Sequence, residues 1–325
     1  MTDIETLELQ VRRDDLGQVR WAEAQTRADQ PLDPGDVLLR LDRFALTSNN
    51  ITYGVVGELM QYWSFFPAPD GWGRLPVWGF ADVVQSRAPG VNEGERVYGF
   101  LPISTYLRVR AAGLNEQSFK DVSEHRKSLP AVYQRYQRVE RADAATEDLR
   151  AVLQPLFGTG YLIDDWLIEQ QLFGARQVVF ASASSKTALS AAFCLSRRPQ
   201  RDFEVIGLTS TRNRSLCERV GYYDRVVDYT ALQSLPAATP TVYVDMAADS
   251  ELTKAVHAHF AEALRYSSLV GMTHRPESLA PPAGLVGPAP QLFFAPAQID
   301  LRSKAWGPEV FWQRLGEAQQ AFYAS

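Results

Sequence analysis

The chain has 325 residues, of which 46% are hydrophobic and 22% charged, and its formal net charge is −5. This is the balance of a globular protein, long enough for one large or two ordinary domains with a sizeable core. The negative charge gives no electrostatic reason to expect nucleic acid as a partner, and no apolar run approaches the length of a membrane span.

The N-terminal stretch MTDIETLELQVRRDD is acidic and lacks the apolar core of a signal peptide, so a cytoplasmic location is expected. Residues 1 to about 115 read as β-rich. DVLLRLDRFAL and ADVVQSRA alternate apolar and polar residues, Pro89-Gly90 and Asn92-Glu93-Gly94 are turn signals, and YLRVRAAG supplies another strand. The pattern predicts a small, partly open barrel. Residues 116–150 are polar, charged and rich in Arg and Tyr. They read as an insertion: either a solvated, partly helical excursion, or a lid bringing His125, Arg126, Tyr133 and Arg135 near a ligand.

From about 151 the pattern alternates helix and strand. LRAVLQPLFGTGYLIDDWLIEQQ predicts an apolar helix broken near Gly158. Strands follow at 177–181, 203–208, 224–229, 241–246 and 268–273, separated by the helical stretches KTALSAAFCLSR, NRSLCERVG and ELTKAVHAHFAEAL. Short apolar strands between helices imply a parallel sheet covered on both faces. Cys194 and Cys217 fall in these helices and read as buried free thiols. The tail carries an irregular apolar stretch, QLFFAPAQIDL, and then a helix from about Pro308.

The first strand–turn–helix unit is the most informative. ASASSKTA stands where a dinucleotide-binding fold places G-x-G-x-x-G. Either a nucleotide site is built here by other means, or the shell has lost its ligand. Ser182, Ser184 and Ser185 are small and carry hydroxyls, Lys186 and Thr187 open the helix, and Lys186 opposes the helix dipole unless a polyanion is bound. After the second strand, Thr209-Ser210-Thr211-Arg212-Asn213-Arg214 has hydroxyls and guanidinium groups but no carboxylate. That set suits a ribose 2′-phosphate and favours NADP(H) over NAD(H), the alternative being a capped helix with solvated arginines.

The order of parts resembles the medium-chain dehydrogenases/reductases. GERVYGF is similar to their G-D-R-V-x-G-F, TSNNITYG to the N-P-x-D region of the zinc-independent quinone-oxidoreductase branch, and QPLFGTGYLIDDWL to the helix entering their nucleotide domain. ERVGYYDRVVDY resembles L-G-A-D-x-V-x-x-Y, TVYVDMAAD resembles V-D-x-V-G, and SSLVGMT resembles the strand passing under the nicotinamide. NNITY, SASSKTA and FFAPAQIDLRSKAWGPE resemble a branch described only as a domain of unknown function. The resemblance implies an α/β protein with a Rossmann-type parallel sheet and a GroES-like, partly open barrel. Its expected divisions are a substrate domain at 1–150, a nucleotide domain at 151–275 and a C-terminal return at 276–325 packing on both.

By the same resemblance, Thr159 lies near the nicotinamide, Tyr229 on the adenosine side, Met246 and Ala247 by the ribose and pyrophosphate, and Gly271 and Met272 beside the nicotinamide. A homodimer is implied through the sheet edge at 268–295. The chain lacks an early Cys and has Trp78-Gly79-Phe80-Ala81 where zinc-dependent members carry G-H-E, and His257 and His259 diverge on a helix. No metal is therefore expected. Without zinc, an acceptor must be polarised by hydrogen bonds or a proton donor. Asn49, Asn50, Thr52 and Tyr53 would line the substrate cleft, with Tyr53 donating to the oxygen of an enone or quinone, or else packing in the interior. Tyr62, Trp63, Phe65, Phe66, Trp72 and Trp78 are core or dimer contacts, or an apolar wall for a flat substrate. Arg302 and Lys304, beside Trp306, belong to a surface cap or to an anion site.

The expected function is an NADP(H)-dependent, zinc-independent reductase of a small-molecule activated carbonyl, such as an enone, quinone or acyl conjugate. The alternative is a non-catalytic Rossmann-type nucleotide-binding or scaffold protein. A Tyr53 open to a pocket would favour the enzyme, and a Tyr53 buried in the barrel core the alternative.

Overall fold

The computed structural model describes residues 6–272 and 282–325. They fall into two compact units, Met1–Val152 and Leu153–Ser325. Expectations for His274, for Thr273 and for part of the 268–295 edge lie outside the described residues.

The first unit begins with β1 (Leu7–Arg12) and β2 (Val19–Glu23), then β3 (Asp36–Ala45), helix α1 (Asn49–Val55), β4 (Trp72–Gly73), β5 (Pro76–Ser86), β6 (Arg96–Pro102) and β7 (Tyr106–Ala112). β8 (Ser118–Asp121) and β9 (Arg135–Val139) complete it. β2, β1 and β4 form a small sheet, while the other strands close a barrel in the order β3-β5-β6-β9-β8-β7. Each pair in the barrel is antiparallel. The predicted turn at Asn92–Gly94 links β5 to β6, with Gly94 at φ +86, a left-handed conformation that favours glycine.

The barrel is thus closed, where the sequence suggested a partly open one, and residues 116–150 are the reason. They are not an insertion. β8 pairs with both β7 and β9, and β9 pairs with β6, so this polar stretch supplies the closing strands. The lid reading of its side chains is corrected too. Arg126 is 1% exposed; it pairs with Asp121 at 3.1 Å, donates to the Phe65 carbonyl and the Tyr136 hydroxyl, and faces the Phe66 ring. Tyr133 is buried, with its hydroxyl 3.0 Å from that of Tyr62. Charge and aromatic content looked like a solvated surface because the burial of these side chains also needs distant partners, the Phe65 carbonyl and the Tyr62 hydroxyl.

Helix α2 (Ala144–Glu169) runs unbroken through Pro155 and Gly158. A proline removes one backbone donor, here the one that would reach the Ala151 carbonyl, and costs the helix a single bond. The helix nevertheless continues where a break at Gly158 was expected. After it, Gln171, Leu172, Phe173 and Gly174 all have positive φ. Gln171 is exposed with φ +50, so Gln171→Gly should relieve left-handed strain without loss of packing. The expected gain is about 0.5–1 kcal/mol, after allowing for the extra freedom glycine gives the unfolded chain. A higher urea midpoint at unchanged m-value checks it.

The second unit holds β10 (Gln177–Ala181), α3 (Lys186–Ser196), β11 (Glu204–Thr209), α4 (Thr211–Val220), β12 (Arg225–Asp228), β13 (Thr241–Asp245), α5 (Ser250–Phe260), β14 (Leu264–Leu269) and β15 (Gln291–Leu292). Helices α6 (Ala295–Trp306) and α7 (Pro308–Tyr323) end it. The sheet is parallel, in the order β12-β11-β10-β13-β14-β15. Val178 and Phe180 of β10 enter one core, and Val179 and Ala181 the opposite one. A strand buried on both faces reads as a continuous apolar run, which is why QVVFA was legible.

Two elements of this unit differ from expectation. β14 is Leu264–Leu269 rather than 268–273, because α5 stops at Phe260 and Ala261 turns with φ +43. QLFFAPAQIDL contains the start of α6, whose Pro296 sits in the first turn, where a missing N–H costs nothing.

Candidate functional site

The polar groups that converge in the second unit lie at the carboxyl ends of β10, β11, β12 and β13, where open parallel sheets bind ligands. After Ala181 the chain turns through Ser182, whose φ of +50 is the conformation glycine usually supplies. The Ser182 N–H donates to the Tyr229 hydroxyl at 3.2 Å, so Tyr229 reaches from the end of β12 to the turn after β10. Ser185 caps α3: its hydroxyl accepts from the Ala188 N–H at 3.2 Å, and its own N–H bonds the Ser182 carbonyl at 2.8 Å. The N–H groups of Ser184, Lys186 and Thr187 have no partner among the described residues. Lys186 is exposed and forms no ion pair among them. Open N–H donors, a helix dipole and an ammonium thus point the same way, and this donor set fits a phosphate.

Gly160 of α2 lets α3 sit this close. A Cβ there would lie 2.6 Å from the Ala191 nitrogen and 2.9 Å from the Thr187 carbonyl. Thr159, beside it, is half-buried, and its hydroxyl is taken by Pro155.

At the end of β11, Thr209 is buried and lies in register with Asp228 of β12. Ser210 is the N-cap residue of α4, but its side chain makes no capping bond. Arg212 is exposed and has no ion-pair partner among the described residues, whereas Arg214 bonds Glu218 at 2.8 Å. The structure adds a carboxylate that the turn sequence does not contain. The Thr211 hydroxyl donates to Asp228 Oδ2 at 2.5 Å, and Thr230 donates its N–H and hydroxyl to Oδ1 at 2.9 and 2.8 Å. The Thr211 bond, then the Thr230 bonds, hold the Asp228 carboxyl below the usual carboxylate range. The sequence signal was an acid closing the strand RVVD, readable only once β12 is placed beside β11.

The turn after β13 is built around another buried acid, Asp245. Its Oδ1 accepts the N–H groups of Ala247 and Ala248 at 2.8 and 3.1 Å, and its Oδ2 accepts the Thr253 hydroxyl at 3.1 Å. Burial pushes its carboxyl up, against these hydrogen bonds. Met246 and Ala247 are buried in this turn. Gly271 packs onto it: a Cβ at Gly271 would lie 2.4 Å from the Met246 carbonyl oxygen. Met272, next in the chain, is buried. Met246, Ala247, Gly271 and Met272 are therefore brought together, while Ser182 and Tyr229 meet on the other side of β10.

In the first unit, Tyr53 is 6% exposed. Its hydroxyl accepts from Trp78 Nε1 at 3.1 Å and is hydrogen-bonded by Asn49, and its ring packs against Tyr62, Phe100 and Tyr133. Burial raises its pKa, offset by the bonds to Trp78 and Asn49. Tyr53 sits in the aromatic core because α1 turns it inward with Asn50 and Gly54. Asn50 is structural: it accepts from the Thr47 N–H at 2.6 Å and donates to the Pro76 carbonyl at 2.7 Å. Asn49 and Thr52 are half-buried on the same helix. Tyr62, Trp63, Phe65 and Phe66 are buried core, and Trp72 stacks on Arg20 at 3.8 Å. The anion reading of Arg302 is corrected. It is buried and held by Asp165 and Glu169 of α2, with Trp306 over its guanidinium.

Among the described residues, no group of His, Cys, Asp and Glu is placed to hold a metal ion, and no helix is long and apolar enough to cross a membrane.

Comparison with known proteins agrees with this geometry. Residues 44–325 match the family described as protein of unknown function (DUF2855). No curated protein matches the chain. Among solved structures, a Mesorhizobium loti protein described as an NADPH:quinone reductase is 13% identical, with 100% of this chain and 90% of that one covered at a TM-score of 0.61. CurA from Vibrio vulnificus in complex with NADPH is 13% identical, covering 95% and 88% at 0.59. CurK enoyl reductase is 12% identical, covering 98% and 87% at 0.54. Identities this low establish the fold alone, and that fold carries the parallel sheet and antiparallel barrel described above. The chain thus belongs to the DUF2855 family and has the fold of the medium-chain dehydrogenases/reductases of the quinone-oxidoreductase type.

Proposed function

We propose that the chain is an NADP(H)-dependent, zinc-independent oxidoreductase acting on an activated carbonyl such as an enone, quinone or acyl conjugate. The observation that carries this reading is the donor set at the start of α3. The N–H groups of Ser184, Lys186 and Thr187 are open, beside the free Lys186 ammonium, at the end of the central strand. Ser182 and Tyr229 hold the turn in place, and Arg212, with the Ser210 hydroxyl, offers the charge and donors for a ribose 2′-phosphate. The buried turn at Met246–Ala247 and its neighbour Gly271 form the rest of the platform. A bound nicotinamide would supply the hydride, while the protein supplies orientation and electrostatics.

A second reading, nucleotide binding without turnover, is favoured by Tyr53. A phenol already bonded to Trp78 and Asn49 and enclosed by aromatic rings is a poor proton donor to a substrate. In the first reading, proton transfer would fall to water or to the substrate itself rather than to Tyr53.

Thermal-shift titration tests the cofactor. NADPH should raise Tm with a dependence of RT ln(1 + [L]/Kd). Arg212→Ala should weaken NADPH by about tenfold, the scale of one charge-assisted contact, and leave NADH nearly unchanged. No shift with either cofactor at millimolar concentration would remove the reading. NADPH oxidation across enones and quinones separates the two functions, since binding without consumption of any acceptor supports the second.

A further inference from the structure

Asp245 is a buried carboxylate without a cation. It is 4% exposed and forms no ion pair among the described residues. Buried acids are ordinarily paired, because taking a charge out of water is costly. Here hydrogen-bond donors replace the cation: the Ala247 and Ala248 N–H groups on Oδ1 and the Thr253 hydroxyl on Oδ2. Such a set of donors suits the ionised form. Asp249, at the start of α5, and the Tyr243 phenol are titratable groups that face it. The neighbouring strand residues, Phe180 of β10 and Leu269 of β14, carry no charge.

The place of Asp245 in the sheet gives this arrangement a use. β10 and β13 are neighbours, yet α3, after β10, packs on one face of the sheet and α5, after β13, on the other. Open parallel sheets bind ligands in the crevice at such a switch point. The start of α3 forms one side of that crevice, and the turn Met246–Ala248 the other. This turn has little freedom. Ala248 is held at φ +60, which alanine seldom adopts, and Gly271 leaves no room for a Cβ beside the Met246 carbonyl oxygen. The bonds from Asp245 tie both alanines into that shape.

We infer, on the NADP(H) reading above, that Asp245 is a positioning residue for the dinucleotide: its ionised carboxylate braces the turn on one side of the crevice, and adding a proton to it loosens the turn and weakens cofactor binding. A protonated acid turns one acceptor into a donor, so Thr253 must reverse its hydroxyl or lose its bond. Burial pushes the Asp245 carboxyl above the usual range, against its hydrogen bonds and with a smaller push from Asp249. The bracing form prevails above that raised value and is lost as pH falls through it.

Calorimetric binding of NADP+ to the full chain, from about pH 8 to about pH 5, provides the test. The ligand's 2′-phosphate titrates in the same range, but for every variant alike, so ratios of dissociation constants isolate Asp245. Asp245→Asn mimics the protonated acid, with one acceptor and one donor. It should bind about fivefold more weakly than wild type at about pH 8, the scale of one net hydrogen bond, and the two should converge as pH falls. Thr253→Val removes a donor from the ionised form, so the pH at which affinity falls should rise, and Thr253→Ser should restore the wild-type profile. A deficit in Asp245→Asn that is the same at every pH, or tighter binding by that variant, overturns the inference. So does a Thr253→Val profile with an unmoved midpoint, which answers even if Asp245→Asn does not fold. Wild-type protein that binds neither NADP+ nor NADPH overturns the NADP(H) reading, and this inference with it.

Discussion

Arg96→Met is expected to cost about 3–5 kcal/mol of stability, the range for removing one partner of a buried ion pair. The Arg96 side chain is 3% exposed. It reaches Glu147 (4% exposed) and Asp82 (10%) at 2.7 Å, with the more open Asp42 at 2.6 Å. Burial would lower the guanidinium pKa, but the bonds to Glu147, Asp42 and Asp82 outweigh it, and the net shift is upward. Met fills much of the same volume, so the loss reports the buried cation removed from Glu147 and Asp82, which keep only more exposed cations, among them Arg43 and Arg141, rather than a cavity. This network joins β6 to the first turn of α2, and its loss should loosen the entry of that helix.

The same variant should change the acid limb of stability. The bond from Arg96 holds Glu147 below its usual pKa, and Asp42 likewise. For a depressed carboxylate, the stabilisation is complete above its unfolded value of about 4–4.5 and disappears as pH falls through the folded one. Urea unfolding at pH 7 and near pH 4 should therefore show wild type losing more stability than Arg96→Met. A variant within about 1 kcal/mol of wild type at pH 7 would show that the cluster is not the buried network its geometry indicates.

Gly160→Ala and Gly158→Ala should move stability in opposite directions, although they are two residues apart on α2. At Gly158 a Cβ meets nothing within 4 Å, so alanine should stabilise by about 1 kcal/mol through helix propensity. At Gly160 the Cβ would lie 2.6 Å from the Ala191 nitrogen and the Ser190 Cβ, and 2.9 Å from the Thr187 carbonyl. Backbone atoms of α3 cannot step aside singly, so the helix must move. The overpacking cost of about 1–3 kcal/mol should outweigh the propensity gain. The start of α3, with Lys186 and Thr187, moves too, so Gly160→Ala should also weaken NADPH binding severalfold. Equal stabilisation by both substitutions would show that α2 and α3 are not in this close contact.

These positions show how far local sequence reaches. QVVFA, TVYVD and the alternating DVLLRLDRFA were readable because a strand's burial is written in its own residues. The start of α7 at Pro308 was readable for a similarly local reason, since proline fits the first turn. The break expected at Gly158 failed because glycine and proline report local cost, while α2 is held by packing along its length. The stretch 116–150 failed for the converse reason. Its burial depends on contacts far along the chain, Arg126 with the Phe65 carbonyl and Tyr133 with the Tyr62 hydroxyl, so composition alone read it as surface.

The candidate site divides in the same way. Ser182 to Thr187 is a contiguous turn, and its small residues, hydroxyls and lysine stand in sequence order; so does the guanidinium of Arg212. Asp228 acts across strands, on Thr211, a role not written near the residue it serves, whereas Asp245 acts locally, on Ala247, Ala248 and Thr253. Tyr53 is the sharpest case: its residues read either as lining a substrate cleft or as packing in the interior, and helix α1 takes the phenol into the aromatic core. The sequence by itself determined the α/β class, the parallel strands and the position of the turn from β10 to α3 that we propose binds phosphate, because these depend on periodicity and short-range chemistry. Only the tertiary structure decided that the barrel closes, that Tyr53 is buried and that the Asp228 carboxylate is bonded to Thr211, because each depends on which distant backbone segments the sheets bring within hydrogen-bonding distance.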